Sequence, residues 1–391
     1  MEATMERLEE GHEGIQCLSV DLLSNILARL PVRLLGQLMS VSKPWLALIS
    51  DPHFKKLHRY RSIKSPKLLI VKQATPRDRI TSSWGPLHRS LHMYTMDVSN
   101  KDVCGTYYTE GIIGRYYSGF RVFPSTNLVC YSDYGREYIC NPDTKEVSRL
   151  PRSSFVSGRG MVCGYILAAN EYKILSFIDP DKDAHHPNGG GKLGCEMLTL
   201  RDGGPVPCSW RQVEDLPQLA ADRGRSSAQV NGSMYMIFHR GKAILSFELE
   251  NEKFKSLGYP QDGYTHHGEG NMENTILAEL EGFLCLGYYW KQFSAMTISM
   301  LVDLERETWV KKYTIPLYEI GKEITIMGLG YLPHTSENGE ILIKLLGSRA
   351  VLYNIKNKSF RRVGDPSFVF DHYNHERFDL YFERFFSLGR Q

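Results

Sequence analysis

The sequence predicts a mainly β protein with a small all-α module at its N-terminus, and three observations predict it. A polar turn between apolar strands recurs about every fifty residues along most of the chain. The 22 tyrosines and 17 phenylalanines, with few long apolar helical patterns, suit the pleated surface of a sheet. Only a stretch near the N-terminus sets its leucines at helical spacing.

Composition bounds the rest. At 391 residues the chain exceeds one ordinary domain, so it holds two or three domains or one small module followed by a repeat array. A hydrophobic content of 42% with 23% charged residues excludes disordered and fibrous classes. The 47 basic and 44 acidic residues nearly cancel, which argues against nucleic acid or an anionic membrane as the general partner. No run approaches the roughly 18 apolar residues of a spanning helix, and Met1 to Gly14 is acidic where a secretion signal is basic and then apolar. A soluble, unsecreted chain in the cytoplasm or nucleus is expected. The eight cysteines include no Cys-x-x-Cys pair and sit mostly in apolar strand-like runs, so reduced core thiols are expected in preference to a disulfide framework.

The helical module opens at Ser19, which is placed to cap a helix carrying Leu22, Leu23, Ile26, Leu27 and Leu30 and ended by Pro31. A second apolar set, Leu34, Leu35 and Leu38, leads through Val41 and Ser42 to Pro44, a favoured first-turn residue, and on to Trp45, Leu48 and Ile49. Asp51 and Pro52 open a further turn with Phe54 and Leu57 by the same logic. Three or four short helices in about 45 residues bury too little to stand alone, so the module needs a partner surface.

This segment resembles the F-box. The likeness is carried by Leu18-Ser-Val-Asp-Leu-Leu-Ser-Asn-Ile-Leu-Ala-Arg-Leu-Pro-Val32, by Val41-Ser-Lys-Pro-Trp45 and by Ile49-Ser-Asp-Pro-His-Phe54. The family usually has proline at the place of Ser19, a bulky residue near Gly36 and a cysteine near Ser40. The resemblance implies a three-helix F-box whose face of Leu18, Leu22, Leu23, Ile26, Leu30, Pro31, Val32, Leu35 and Val41 packs on the Skp-type adaptor that joins F-box proteins to a cullin–RING ligase. An internal bundle is the competing reading, preferred for Leu27, Leu38, Trp45, Leu48 and Ile49. The basic run Lys55 to Arg61 is read as a solvated helix face, since no second basic cluster extends it into a nucleic-acid patch. These signals divide the chain into a flexible N-terminus (1–15), an F-box (16–62), a linker (63–66) and a β domain (67–391).

Within the β domain the recurring turn is Met96 to Lys101, Cys140 to Lys145, Leu198 to Asp202, Phe247 to Lys253, Val302 to Glu307 and Tyr353 to Lys358. The steps between turns, about 44 to 58 residues, match the period of kelch-type blades and predict a six-bladed kelch-like β-propeller. Strands are expected upstream of the turns at Leu68–Val71, Leu128–Tyr131, Tyr172–Phe177, Ser233–Phe238, Gly282–Leu286 and Ile341–Leu345. The region also resembles the F-box-associated domain of the large plant F-box families, through Asn127-Leu-Val-Cys130, Asn141-Pro142, Leu150-Pro151, Glu171-Tyr-Lys-Ile-Leu175, Trp210-Arg211, Asn231-Gly-Ser-Met-Tyr235, Ile244-Leu-Ser-Phe247 and Trp309-Val-Lys311. That likeness implies a target-binding propeller and says nothing about which target.

Two interruptions, Asp179 to Gly194 and Gln261 to Asn271, are read as loops available for recognition. The Gly-Gly-Gly-Lys192 run lacks the spacing of a phosphate loop. The pairs His185-His186 and His266-His267 are adjacent, which points their side chains apart on an extended chain and disfavours a metal site. Arg377 to Leu388 sets Phe378, Tyr381, Phe382, Phe385 and Phe386 on one face and predicts a C-terminal helix docked on the propeller or the F-box linker, its basic content being too low for a membrane-surface helix.

No nucleophile elbow, zinc spacing or dinucleotide fingerprint is present, so no catalytic residue, cofactor or metal is expected. The combined reading is a non-catalytic substrate adaptor of a Skp–cullin–F-box ubiquitin ligase with an unknown protein target and no nucleic-acid or membrane partner. A propeller scaffold acting outside the ligase and a propeller enzyme are the alternatives. Tyr116, Tyr117, Tyr288, Tyr289 and Trp290 are read as either a target hot spot or blade packing.

Overall fold

A computed structural model describes residues 18–74, 89–96, 103–111, 120–123, 126–133, 136–153, 161–178, 194–214, 216–217, 224–238, 244–260, 275–290, 295–321, 326–332, 339–345, 349–363 and 376–389. The described residues fall into two compact units, a helical one of residues up to Ser65 with Phe382–Phe385, and a β one of Pro66–Tyr381 with the residues from Phe386 on.

The helical unit has four helices, α1 (Val20–Leu27), α2 (Val32–Leu38), α3 (Lys43–Ser50) and α4 (Pro52–Lys64). Each boundary has a chemical cause. The Ser19 hydroxyl accepts from Leu22 N at 3.2 Å, Ser42 accepts from Trp45 N at 3.4 Å, and Asp51 Oδ1 accepts from His53 N at 2.7 Å and Phe54 N at 3.2 Å. Ser19 therefore caps the first helix in place of the family's proline. The fourth helix extends through Lys64 across the predicted linker, because the Asp51-Pro52 start meets no helix breaker until Ser65-Pro66.

The β unit consists of six four-stranded antiparallel sheets, the blades of the propeller. In spatial order they are β24-β1-β2-β3, β4 to β7, β8 to β11, β12 to β15, β16 to β19 and β20 to β23. The second strands are β1 (Lys67–Ala74), β5 (Val129–Asp133), β9 (Glu171–Ile178), β13 (Ser233–Phe238), β17 (Phe283–Trp290) and β21 (Glu340–Leu345), which are the six strands expected from sequence. The recurring turns connect third to fourth strands, as from β6 (Arg136–Asn141) to β7 (Glu146–Arg149) and from β18 (Ala295–Asp303) to β19 (Thr308–Pro316). The first of these turns lies outside the described residues except for Met96.

The predicted C-terminal helix is corrected. Glu376–Tyr381 is strand β24, the first strand of blade 1, paired antiparallel to β1 from Lys67↔Tyr381 to Lys72↔Glu376. The backbone groups along the open edge of β1 need partners, and six paired residues outweigh an amphipathic period that serves equally as a strand buried on both faces. Asp379, Leu380 and Tyr381 are all buried. The chain thus closes its ring by pairing its C-terminal strand with the first strand after the helices.

Clusters of buried side chains lie between successive blades. Leu175, Met197, Met236 and Phe247 join blades 3 and 4, and Cys285, Ile298, Ile341 and Ile343 join blades 5 and 6. Backbone links accompany them. On β12 (Gly224–Val230), the Gln229 amide accepts from Tyr165 N at 2.9 Å and donates to Tyr165 O at 2.6 Å, so one side chain imitates a strand toward β8 (Met161–Ile166). From the same strand Ser226 Oγ accepts from Leu277 N at 2.8 Å and donates to Leu277 O at 3.3 Å, on β16 (Thr275–Leu280). Cys130, Cys140, Cys163, Cys195 and Cys285 are buried thiols, as a reduced core requires. Burial raises the Cys140 thiol pKa and pushes that of Cys285 up to about 12, which removes them from thiolate chemistry.

Candidate functional site: an apolar helical ridge and a long-loop face

In the helical unit, Leu27, Ala28, Leu35, Ile49 and Phe54 are buried together, with Leu23, Leu30, Leu38, Trp45, Leu48, Leu57 and Phe385 packed around them. His58 is buried too, and its Nε2–H donates to Leu30 O at 2.9 Å, fastening α4 to the break after α1. Arg61 donates to Asn25 Oδ1 at 2.7 Å, a second tie between the same helices.

The nine residues expected to dock an adaptor separate into three groups. Val32 and Leu35 are 4% and 0% exposed and belong to the bundle core. Leu23, Leu30 and Pro31 are half-buried. Leu18, Leu22, Ile26 and Val41 are exposed, at 39%, 48%, 44% and 67%. Leu22 and Ile26 stand four residues apart on one side of α1, with Leu18 just ahead of the Ser19 cap, while Leu23, Leu27 and Leu30 turn inward. Val20, Leu34 and Leu46 are also exposed and extend the apolar surface beyond the expected set. A Cβ added at Gly36 meets nothing, so the family's bulky residue there is a matter of surface and not of packing.

Seven large apolar side chains exposed within residues 18–46, besides Tyr60 and Ile63 on α4, exceed what scattered surface hydrophobes account for on so small a unit. Covering four of them is worth about 1.5–3 kcal/mol each before the costs of association.

The β unit presents two faces of different character. Antiparallel alternation puts the first-to-second and third-to-fourth connections of every blade on one face, and the second-to-third and blade-to-blade connections on the other. On the first face no connection between described strands exceeds nine residues, and several are tight turns such as 231–232, 281–282 and 304–307. On the second, six connections run from eleven to seventeen residues: 75–88, 150–160, 179–193, 213–223, 258–274 and 364–375. Both interruptions singled out in the sequence fall within this second set, and their internal residues, with all four loop histidines, lie outside the described residues. Strand β1 begins and β24 ends on the short-turn face.

The residues that carry the family likeness prove to be fasteners. Asn127 donates to Asn141 Oδ1 at 3.3 Å and Asp143 Oδ2 at 3.2 Å, and accepts from the Tyr172 hydroxyl. Trp210 Nε1 donates to Pro151 O at 2.9 Å, and Trp309 Nε1 to Gly258 O at 3.2 Å, the same latch at the seam of blades 2 and 3 and again at that of blades 4 and 5. Tyr288 and Tyr289 are buried, and the Tyr289 hydroxyl accepts from Ile326 N at 3.2 Å, so they pack blades; Tyr116 and Tyr117 lie outside the described residues. Among the described residues no group of three or more His, Cys, Asp or Glu is placed to hold a metal ion. No helix among them is long and apolar enough to cross a membrane.

Four short helices, three of them capped by side chains, with an exposed leucine ridge, followed by a six-bladed ring closed by its last strand, define an F-box protein of the propeller type. Residues 15–57 match the F-box domain, and residues 89–382 match the F-box associated beta propeller domain. The chain belongs to the family of proteins that pair these two domains. Among its relatives in Arabidopsis thaliana are the F-box protein At3g57590, 29% identical over 77% of this chain and 72% of the relative, and the F-box protein At3g07870, 25% identical over 89% and 87%. The F-box protein CPR1 is 23% identical over 87% of this chain and 82% of its own. Among solved structures, the chain is similar to YCF48 bound to D1 peptide at 10% identity, over 73% of this chain and 80% of that one, with a TM-score of 0.39.

Proposed function

We propose that the protein is the substrate-recognition subunit of a Skp–cullin–F-box ubiquitin ligase. The exposed ridge of Leu18, Leu22, Ile26 and Val41 docks a Skp-type adaptor, and the long-loop face of the propeller captures a target protein. The observation that carries this reading is the ridge itself, an apolar surface without an internal partner on a domain of the F-box family. The unevenness of the propeller supports the second half, since recognition concentrates on loops that a rigid scaffold holds. The subunit makes and breaks no bonds of its own. It acts by proximity, raising the effective concentration of a target lysine beside a ubiquitin-loaded enzyme. A cytoplasmic or nuclear location belongs to the same proposal.

The test is co-purification of the full chain with a Skp-type adaptor beside a Leu22→Asp, Ile26→Asp double variant. Both residues are exposed, so the charges meet water in the free protein and a buried apolar surface only in the complex. A stoichiometric complex that the double variant loses, with unchanged thermal unfolding, is the expected result. An intact protein that captures no adaptor refutes the docking half and leaves a propeller scaffold.

A further inference from the structure

The helical unit is not made of N-terminal residues alone. Its compact core includes Phe382–Phe385, more than 300 residues further along the chain. The Phe385 ring stands edge-on to His58 at 5.1 Å and to Phe54 at 6.2 Å between centroids, and these two are 3% and 1% exposed. Phe54 and His58 are the inward residues of α4, and His58 holds Leu30 at the end of the ridge helix. Removing Phe385 opens that side of the core to water.

The residues that follow are held firmly within the propeller. Phe386 is 1% exposed and meets Tyr172 edge-on at 4.6 Å, and its carbonyl accepts from Asn141 Nδ2 at 2.6 Å. Ser387 N donates to Asp202 Oδ1 at 2.8 Å, Ser387 Oγ to Glu146 Oε1 at 2.7 Å and Leu388 N to Glu146 Oε2 at 2.8 Å, while Gly203 N donates to Ser387 O at 2.9 Å. Consecutive residues thus serve two different cores.

We propose that the docking module is discontinuous, closed by Phe385, so that adaptor docking requires an intact C-terminal tail. This rests on the docking reading above and adds a control to it: a chain in which Phe385 alone is cut back keeps its propeller contacts at Phe386 to Leu388 and loses a docking-competent helical unit. Phe385 is a positioning residue. It touches α4 from inside and lies outside the exposed ridge.

The test uses the full chain, a Phe385→Ala variant and a Phe385→Leu variant, followed by hydrogen exchange and by capture of a Skp-type adaptor. In Phe385→Ala the amides of α4 are expected to exchange at least about tenfold faster while those of β12 to β15 are unchanged, and adaptor capture falls with them. Phe385→Leu, which refills most of the volume, restores protection and capture. Unchanged α4 exchange in Phe385→Ala overturns the proposal whatever capture does. Faster α4 exchange in a protein whose native form captures no adaptor supports the closing role of Phe385 and refutes the docking reading instead.

Discussion

The two units of this protein spend their apolar residues differently. The helical unit fully buries a small central set around Leu35, Ile49 and Phe54, and leaves Leu18, Val20, Leu22, Ile26, Leu34, Val41 and Leu46 in water. The propeller buries its apolar residues in clusters between blades and fastens the seams with side chains that bond backbone, such as Gln229 and Trp309. The first unit keeps much of its apolar surface open for its size, whereas the larger second unit covers most of its apolar side chains between blades. On the proposed function, recognition of a target by the propeller falls to connections outside the blade cores.

The largest test of this contrast sets one leucine against another. Leu35→Ala empties a fully buried site and is expected to destabilise the helical unit by about 2–5 kcal/mol, while Leu22→Asp on the ridge changes stability by less than about 0.5 kcal/mol. Denaturant unfolding followed by probes in each unit reads both, with the propeller transition unmoved. Comparable losses at the two positions would mean that the ridge is core and the contrast is false.

Within the propeller, Gln229→Ala probes the self-sufficiency of a seam. It leaves Tyr165 N and O facing a gap where two hydrogen bonds stood, at an expected cost of about 1–3 kcal/mol. Gln229→Glu restores an acceptor for Tyr165 N but sets a carboxylate against Tyr165 O, so it is expected to be no better. A Gln229→Ala propeller as stable as the native one would place seam strength in the apolar clusters alone.

A smaller effect is expected on the acid side. Burial works to raise the Glu252 carboxyl, but hydrogen bonds and charges from Lys173 and Arg211 outweigh it and hold the pKa below the ordinary value. A depressed carboxyl contributes stability that is present above its unfolded pKa, near about 4.3, and is lost as pH falls through the lower folded value. With the Glu252 side chain 30% exposed, the contribution is under about 1 kcal/mol after screening. Glu252→Gln is expected to flatten the stability profile of the propeller below about pH 4.3. A profile that keeps its slope would assign acid sensitivity to other carboxylates.

Much of this architecture was legible beforehand, and the exceptions have physical causes. The third-to-fourth turns and the second strands were found because a tight polar turn beside an apolar strand leaves a local signature. The closing strand was not, since Asp379, Leu380 and Tyr381 are buried in succession and show no alternation, and its partner β1 lies some 300 residues away. At the ridge, spacing identified an apolar stripe on α1 but did not separate Leu22 from Leu35. Both are leucines at helical spacing, and only the packing of α2 and α4 decides which meets water. The aromatic run around Phe385 left open whether it docks on the propeller or beside the F-box, because spacing cannot divide Phe385, which joins the helical core, from Phe386, which joins a propeller core.

The smallest prediction returns to the repeated turn. Lys145, Glu252, Glu307 and Lys358 lie at or next to the last place of the third-to-fourth turn in four blades, with φ of 60°, 57°, 51° and 57°, the left-handed region where a Cβ crowds the backbone. Lys358 N donates to Asn354 O at 3.0 Å to close its turn, and the side chain is exposed. Lys358→Gly relieves roughly 1–2 kcal/mol of backbone strain and loses roughly 0.5–1 kcal/mol through the extra freedom of glycine in the unfolded chain. The propeller should gain about 0.5 kcal/mol, read as a higher denaturant midpoint with an unchanged slope. At Glu252 the same change should give no gain, because it also removes the partner of Lys173, whose ammonium is nearly buried. Equal gains at both positions would show that the ion pair adds nothing to the seam between blades 3 and 4, and equal losses would show that these turns are not strained.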